Sequence, residues 1–92
     1  MTKAEKRHKD RLSQMACVIC EQVYGQHAGG NVELHHLRSG GWGKGDFMTL
    51  FPLCFNHHRG TEGIHTMGTK AWERVFGVSQ RDLLNLTLER IA

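Results

Sequence analysis

Hydrophobic residues are spread unevenly along the chain and predict short elements on both sides of a polar middle region. Thr2 precedes Glu5 by three residues, as in a helix capping box, and no Gly or Pro follows until Gly25, so a helix is predicted over residues 3–15. Val, Ile and Leu are thinly spread through residues 21–70, where Gly, His and polar residues dominate. We therefore do not expect apolar packing alone to hold this middle region together.

Two short strands are predicted in the middle region, the first over residues 32–38 and the second over residues 49–53. A glycine-rich loop separates them and contains Gly40, Gly41, Gly43 and Gly45. Because Pro52 has no backbone N–H to donate, the second strand should lie at a sheet edge or end at this residue.

Helices are predicted to follow the second strand. A short helix begins near Cys54, and another covers residues 70–76, with Trp72 and Phe76 on one face. The last helix begins at Ser79 and carries an apolar stripe of Leu83, Leu84, Leu88 and Ile91. We expect the two aromatic residues and this stripe to form the hydrophobic core.

This order of elements predicts a small α+β fold made of one domain over residues 1–92. We expect a basic helix in residues 1–16, the two strands and the ligand pairs described below in residues 17–60, and helices in residues 61–92. Because a chain this short buries only ~60–65% of its unfolded surface, its thin core should need a staple such as a bound metal ion.

Positive charge is concentrated at the N-terminus. The formal net charge is +3, and residues 1–11 hold five Lys or Arg residues against Glu5 and Asp10, whereas the rest of the chain is balanced. A basic arm on a neutral body suits an acidic partner such as a nucleic-acid backbone. The solvated face of a charged helix explains the same charges equally well.

The sequence has neither an apolar run of ~18 residues nor a signal-peptide pattern. We therefore expect a soluble, cytoplasmic protein with no membrane partner. Its three cysteines cannot all pair within one chain, and an intracellular setting disfavours disulfides. Metal ligation is the better explanation for them.

Two ligand pairs predict a structural zinc site. Cys17 and Cys20 are separated by two residues, and so are Cys54 and His57, a spacing that lets side chains converge on one tetrahedral ion. A redox dithiol is the alternative for the first pair, but no βαβ pattern surrounds it. His58 could replace His57, although neighbouring residues on a helix diverge by ~100° and therefore favour two different sites.

Four motifs occur in a specific order and together span about two thirds of the chain. They are Cys-Val-Ile-Cys, Glu-Leu-His-His-Leu-Arg, Pro-Leu-Cys-Phe-Asn-His-His-Arg-Gly and Gly-Ile-His-Thr-Met-Gly. In this order they resemble the HNH nucleases, and more narrowly the phage recombination-enhancement, RecA-dependent nucleases and their small prophage relatives. The resemblance implies a ββα-metal unit held by structural zinc and hydrolysis of DNA phosphodiester bonds.

The resemblance also assigns roles to individual residues. It implies that His36 is the general base and that His35 and His58 bind the catalytic cation, with His65 as a possible further ligand, a phosphate contact or a structural residue. The implied structural zinc ligands are Cys17, Cys20, Cys54 and His57. The catalytic cation would be Mg²⁺ or Mn²⁺, although a site of imidazoles also suits Ni²⁺ or Zn²⁺.

One position departs from the family pattern, because Thr49 stands where the central Asn of the HNH motif would brace the catalytic loop. Its hydroxyl offers one donor and one acceptor on a shorter arm. A further tension is that adjacent strand residues point to opposite faces. His35 and His36 can therefore serve one phosphate only if the strand ends or twists between them.

Several other residues near the motifs have weaker predicted roles. Arg38, Lys44 and Arg59 could bind DNA phosphates, and Trp42 could stack on a base or fill the hairpin. Further ligand candidates are Glu33 and Asp46, whereas His8 and His27 are expected at the surface. Surface carboxylates are common and neither candidate has a diagnostic spacing, so the carboxylate ligands are the weaker prediction.

Two alternatives to a self-sufficient nuclease follow from the same residues. A zinc-held DNA-binding module without catalysis would use the histidines structurally. An accessory nuclease would cut DNA only beside a partner, which the resemblance identifies as a recombinase filament.

Overall fold

The computed structural model describes residues 2–27, 29–37 and 47–91. In this part of the chain it contains six α-helices, a short 3-10 helix at Phe47–Thr49 and a two-stranded sheet. The strands are β1 (Val32–His36) and β2 (Leu50–Cys54), and the helices are α1 (Lys3–Ser13), α2 (Val18–Tyr24), α3 (Phe55–Arg59), α4 (Ile64–Met67), α5 (Thr69–Phe76) and α6 (Gln80–Ile91). The predicted small α+β fold is confirmed. None of the helices described is long and apolar enough to cross a membrane.

The sheet is an antiparallel hairpin that pairs Glu33 with Leu53, His35 with Phe51 and His36 with Leu50. In a sheet of two strands both strands are edges, so Pro52 is tolerated within β2. β1 ends two residues before the predicted boundary, and β2 lies one residue further along the chain than predicted. As a result, His36 is the last residue of its strand.

Helix α1 begins as the capping pattern predicts, because the Thr2 hydroxyl accepts a hydrogen bond from the Glu5 backbone N–H at 3.1 Å. The Glu5 carboxylate instead accepts a hydrogen bond from Lys9, so half of the expected capping box forms. The helix ends at Ser13, two residues early. The expectation that His8 lies at the surface is wrong, because it is 8% exposed on the inner face of α1.

Helices α2 and α4 were not predicted as helices. α2 holds the first cysteine pair, with Cys17 at its N-cap, and ends at Gly25, whose φ of 68° allows the left-handed C-cap that glycine favours. α4 is a single turn of four residues. Both are too short for hydrophobic periodicity to identify them.

The hydrophobic core lies between the sheet and the C-terminal helices. Trp72 and Leu83 are fully buried, as predicted, and Leu84 is 6% exposed. The Trp72 indole N–H donates to the Glu62 carbonyl at 3.1 Å, so its polar atom is satisfied as well. The core also contains Val18, Ile19, Phe51, Leu53 and Ile64, with Phe76 and Leu88 partly buried against it. β2 and the cysteine-bearing helix α2 are therefore packed on the same core as α5 and α6.

We predict that Trp72→Ala lowers the free energy of unfolding by about 3–5 kcal/mol, because it opens a cavity in a fully buried site. Val75→Ala on the same helix is the matched control, since Val75 is 62% exposed and should change stability by less than about 0.5 kcal/mol. Urea unfolding at a saturating zinc concentration measures the free energy of unfolding of both variants. Equal effects of the two substitutions would contradict the core described above.

Candidate functional site

Three cysteines and one histidine meet where α2, β2 and α3 come together. His57 Nδ1 lies 3.2 Å from Cys54 Sγ, 3.6 Å from Cys20 Sγ and 3.7 Å from Cys17 Sγ, and the Cys20 and Cys54 sulfurs are 3.9 Å apart. Zinc bonds of ~2.3 Å to sulfur and ~2.0–2.1 Å to nitrogen give tetrahedral edges of about 3.5–3.8 Å. The cluster could therefore bind a metal such as zinc.

The protonation chemistry of this cluster also fits a cation. Burial raises the pKa of Cys17, and burial followed by the neighbouring thiols raises the pKa of Cys20 to about 12. Thiolates packed this closely repel one another unless a cation lies between them. Burial lowers the pKa of His57, which favours the neutral imidazole that a metal requires. Its ring is packed by Tyr24 on one face and by the edge of Phe76.

A second cluster consists of three imidazoles from three different elements. His35 comes from β1, His58 from α3 and His65 from α4, and one ring nitrogen of each lies within 4.8 Å of the others. The Nε2 atoms of His58 and His65 are 3.1 Å apart. Two nitrogens bound ~2.0–2.1 Å from one ion lie about 3.0–3.4 Å apart, so this set could also hold a metal ion.

Both histidines of the adjacent pair on β1 line one cavity of about 480 Å³. His35 packs edge-on against its cross-strand neighbour Phe51, while His36 ends the strand and its Nδ1 lies 3.3 Å from Thr49 Oγ1. Neighbouring side chains within a strand point to opposite faces. Because β1 ends at His36, the side chains of His35 and His36 can line the same cavity. The cavity is also lined by His58, His65, Thr69 and Gln80.

The Glu33 carboxylate orients the His58 ring through a hydrogen bond at Nδ1. Glu33 Oε1 accepts a hydrogen bond from His58 Nδ1 at 2.7 Å, so the lone pair of the neutral ring lies on Nε2, the atom nearest His65. The Arg59 guanidinium binds the same carboxylate with two nitrogens. Arg59 first and His58 second lower the pKa of Glu33 to about 2. Glu33 therefore stays ionised and faces Nδ1, rather than joining the imidazole cluster as the extra ligand considered above.

His35 is a partly buried ring of the second cluster. Its pKa is lowered to about 4, mainly by burial and also by the charges that His58 and His65 would carry, which together outweigh a hydrogen bond to Gln80 that raises it. The ring is thus neutral and able to bind a cation at physiological pH. Sequence reasoning missed Gln80, which lies 45 residues away along the chain.

Some predicted residues lie elsewhere or outside the described part. Arg59 contacts Glu33 and lies over the ring of Phe55, and its predicted phosphate contact stays a prediction. His27 is exposed beside Glu21. The residues with a predicted role that lie outside the described part are Arg38, Trp42, Lys44, Asp46 and the loop glycines at positions 40, 41, 43 and 45.

Comparison with known protein families gives one result that covers nearly the whole chain. A family model described as "Recombination enhancement, RecA-dependent nuclease" matches residues 1–91. No curated protein and no solved structure matches the chain significantly.

We predict that zinc binding to the metal-free chain releases protons at pH 7. Without an ion the thiol of Cys20, with its pKa of about 12, keeps its proton, whereas zinc binds thiolates. Calorimetric titration in buffers of different ionisation enthalpy measures the release. Affinity should fall as the pH falls, because protons compete for the sulfurs.

Cys20→Ser should weaken zinc binding, and His27→Ala, which changes an exposed ring, should not. Zinc affinity that is independent of pH, or unchanged in Cys20→Ser, would contradict a sulfur-bound ion in this cluster.

Proposed function

Because the chain belongs to the recombination-enhancement, RecA-dependent nuclease family, we propose that it is a metal-dependent endonuclease of the HNH, or ββα-metal, type that hydrolyses DNA phosphodiester bonds. The observation that carries this proposal is the arrangement of three imidazoles from β1, α3 and α4 around the cavity that His36 also lines. A nuclease of this type needs a base and a cation site on one substrate cavity.

His36 is the general base in this proposal. Its Nδ1 lies 3.3 Å from Thr49 Oγ1, and in the tautomer that donates from Nδ1 to this hydroxyl the ring lone pair lies on Nε2, which would accept a proton from a water molecule. The water oxygen then bonds to phosphorus as the bond from phosphorus to the 3′ oxygen breaks, and that oxygen is protonated from solvent. The products carry 5′-phosphate and 3′-hydroxyl ends. An imidazole with a pKa near ~6.5 accepts this proton at neutral pH, which Lys or Arg does not.

Thr49 acts in place of the family Asn by orienting the base. The hydroxyl lies at the end of the 3-10 helix next to Leu50, the cross-strand partner of His36. Its shorter side chain reaches the imidazole because the helix and strand meet at this residue. The contact with Nδ1 fixes the ring rotation, and when the hydroxyl accepts from Nδ1 the lone pair lies on Nε2.

His35, His58 and His65 would hold the catalytic cation. When bound, the cation would stabilise negative charge on the phosphate and on the 3′ oxygen as it leaves. Three neutral imidazoles form a softer ligand set than Mg²⁺ prefers, so Mn²⁺, Ni²⁺ or Zn²⁺ should bind more tightly, while Mg²⁺ supports the reaction by its abundance. Glu33, which accepts from Nδ1, would hold His58 in the orientation that presents Nε2 to the cation.

Cys17, Cys20, Cys54 and His57 would hold a structural zinc ion. The ion would join the start of α2 to the end of β2 and to α3, and so fix the helix that presents His58. This role requires no open ligand position, which agrees with a closed set of four protein ligands.

Basic residues on α1 are the described candidates for DNA contact. α1 packs against β1 and the 3-10 helix that holds Thr49, so it lies beside the proposed base. Lys6 pairs with Asp10 and Lys9 with Glu5. Lys3 and Arg7 make no ion pair within the described residues and are exposed, and they would contact phosphates together with Arg38, Lys44 and Arg59.

We predict that His36→Ala and His58→Ala each lower the rate of DNA cleavage by about 100-fold or more, because the first removes the general base, which contributes ~10²–10⁴-fold, and the second removes a ligand of the proposed cation. The exposed His27→Ala is the matched control and should retain the wild-type rate. The assay follows supercoiled plasmid and single-stranded DNA with Mg²⁺ or Mn²⁺, with and without a RecA filament.

Cleavage by wild type only with the filament would identify an accessory nuclease. Equal DNA binding by wild type and His36→Ala, with no cleavage by either under all these conditions, would contradict the proposal and leave a DNA-binding module.

We also predict that Thr49→Val lowers the cleavage rate about tenfold, the effect of losing a hydrogen bond worth ~1–1.5 kcal/mol. Val has nearly the shape of Thr but cannot bond to His36 Nδ1. Thr49→Asn restores a polar partner and should retain most activity. A Thr49→Val variant with wild-type activity would show that the hydroxyl does not orient the base.

A further inference from the structure

Helix α6 inserts its first residue into the imidazole cluster. Gln80 is 9% exposed and lines the same cavity as His35, His58 and His65. Its Oε1 lies 2.9 Å from His35 Nε2. A buried amide in a cluster of titratable rings is costly unless it is hydrogen-bonded, and this contact satisfies its oxygen.

The direction of this hydrogen bond determines the tautomer of His35. A carbonyl oxygen can only accept, so the proton lies on His35 Nε2. A metal ligand must be a neutral imidazole, which carries one ring proton. The lone pair of His35 is therefore on Nδ1.

Three interactions fix the start of α6 and with it the position of Gln80. Its backbone N–H donates to Glu73 Oε2 on α5 at 2.6 Å, and the Ser79 hydroxyl caps the same helix end by accepting from the Asp82 N–H. Leu83, one turn further along α6, is fully buried in the core. The amide is thus presented by a fixed helix end rather than by a loop.

We propose that Gln80 is a positioning residue that holds His35 in the Nε2–H tautomer and so presents Nδ1 to the catalytic cation. This inference rests on the proposed metal-dependent function. Metal-binding histidines usually donate their second ring N–H to a carboxylate or carbonyl. His58 donates from Nδ1 to Glu33, and His35 donates from Nε2 to Gln80. The two rings consequently use opposite nitrogens toward one ion.

The first test measures Mn²⁺ affinity of the zinc-loaded full chain by calorimetry. Gln80→Met keeps the size of the side chain but removes the acceptor, and it should weaken Mn²⁺ binding by about 10–100-fold. Gln80→Glu restores an acceptor and should return the affinity to the wild-type value or above. Gln22→Met, on the exposed face of α2, is the matched control and should bind as wild type does.

The outcomes separate this inference from the proposed function. If wild type binds no Mn²⁺, or His58→Ala binds it as wild type does, the proposed cation site itself fails. If wild type binds Mn²⁺ and Gln80→Met binds it equally well, the cation site stands and the role of Gln80 is overturned. Thermal unfolding checks that each variant is folded. If Gln80→Met does not fold, the Mn²⁺ affinity of Gln80→Glu is compared with that of wild type instead.

The second test uses the tautomer itself, which a purely structural role would not change. Nitrogen-15 NMR of the ring in zinc-loaded protein without added Mn²⁺ should show His35 protonated on Nε2 in wild type. In Gln80→Met the two tautomers should mix. A His35 ring protonated on Nδ1 in wild type, or one unaffected by Gln80→Met, would overturn the inference.

Discussion

Helix α3 imposes the constraint on which the rest of the site depends. It is five residues long, and its neighbouring histidines diverge by ~100° as helix geometry requires. His57 therefore faces the three sulfurs, while His58 faces His35 and His65. The end of β2 and the start of α2 share the sulfur cluster with α3. The geometry of the sulfur cluster therefore determines the direction in which the His58 side chain points.

A second regularity is that His35, His36 and His58 each have an oxygen partner on one ring nitrogen. Thr49 contacts His36, Glu33 contacts His58, and Gln80 contacts His35. These partners come from the 3-10 helix, β1 and α6, so the orientation of the rings depends on the whole fold. Because a neutral imidazole carries one proton and the Glu33 and Gln80 oxygens only accept, these two contacts assign the lone pair of His58 to Nε2 and that of His35 to Nδ1.

The sequence predicted elements with strong local signals. Leu83, Leu84 and Leu88 of the α6 stripe, the buried Trp72 and the Cys-x-x-Cys spacing follow local patterns and are placed as expected, whereas Ile91 lies outside the core cluster. Features that depend on distant contacts were missed, such as Gln80, which meets His35 across 45 residues. Glu33 was considered as a ligand, because a sequence does not show which side of an imidazole a carboxylate faces. His8 was misplaced because it lies among charged, exposed residues of α1, yet is on the face that also buries Leu12.

The central claim is that two adjacent histidines of one helix serve two separate ions. The most direct test is a crystal structure of the chain grown with Mn²⁺, with anomalous scattering measured at the zinc and manganese absorption edges. The account predicts zinc among Cys17, Cys20, Cys54 and His57, and manganese among His35, His58 and His65. A single ion that both His57 and His58 bind, or manganese away from the three imidazoles, would contradict it.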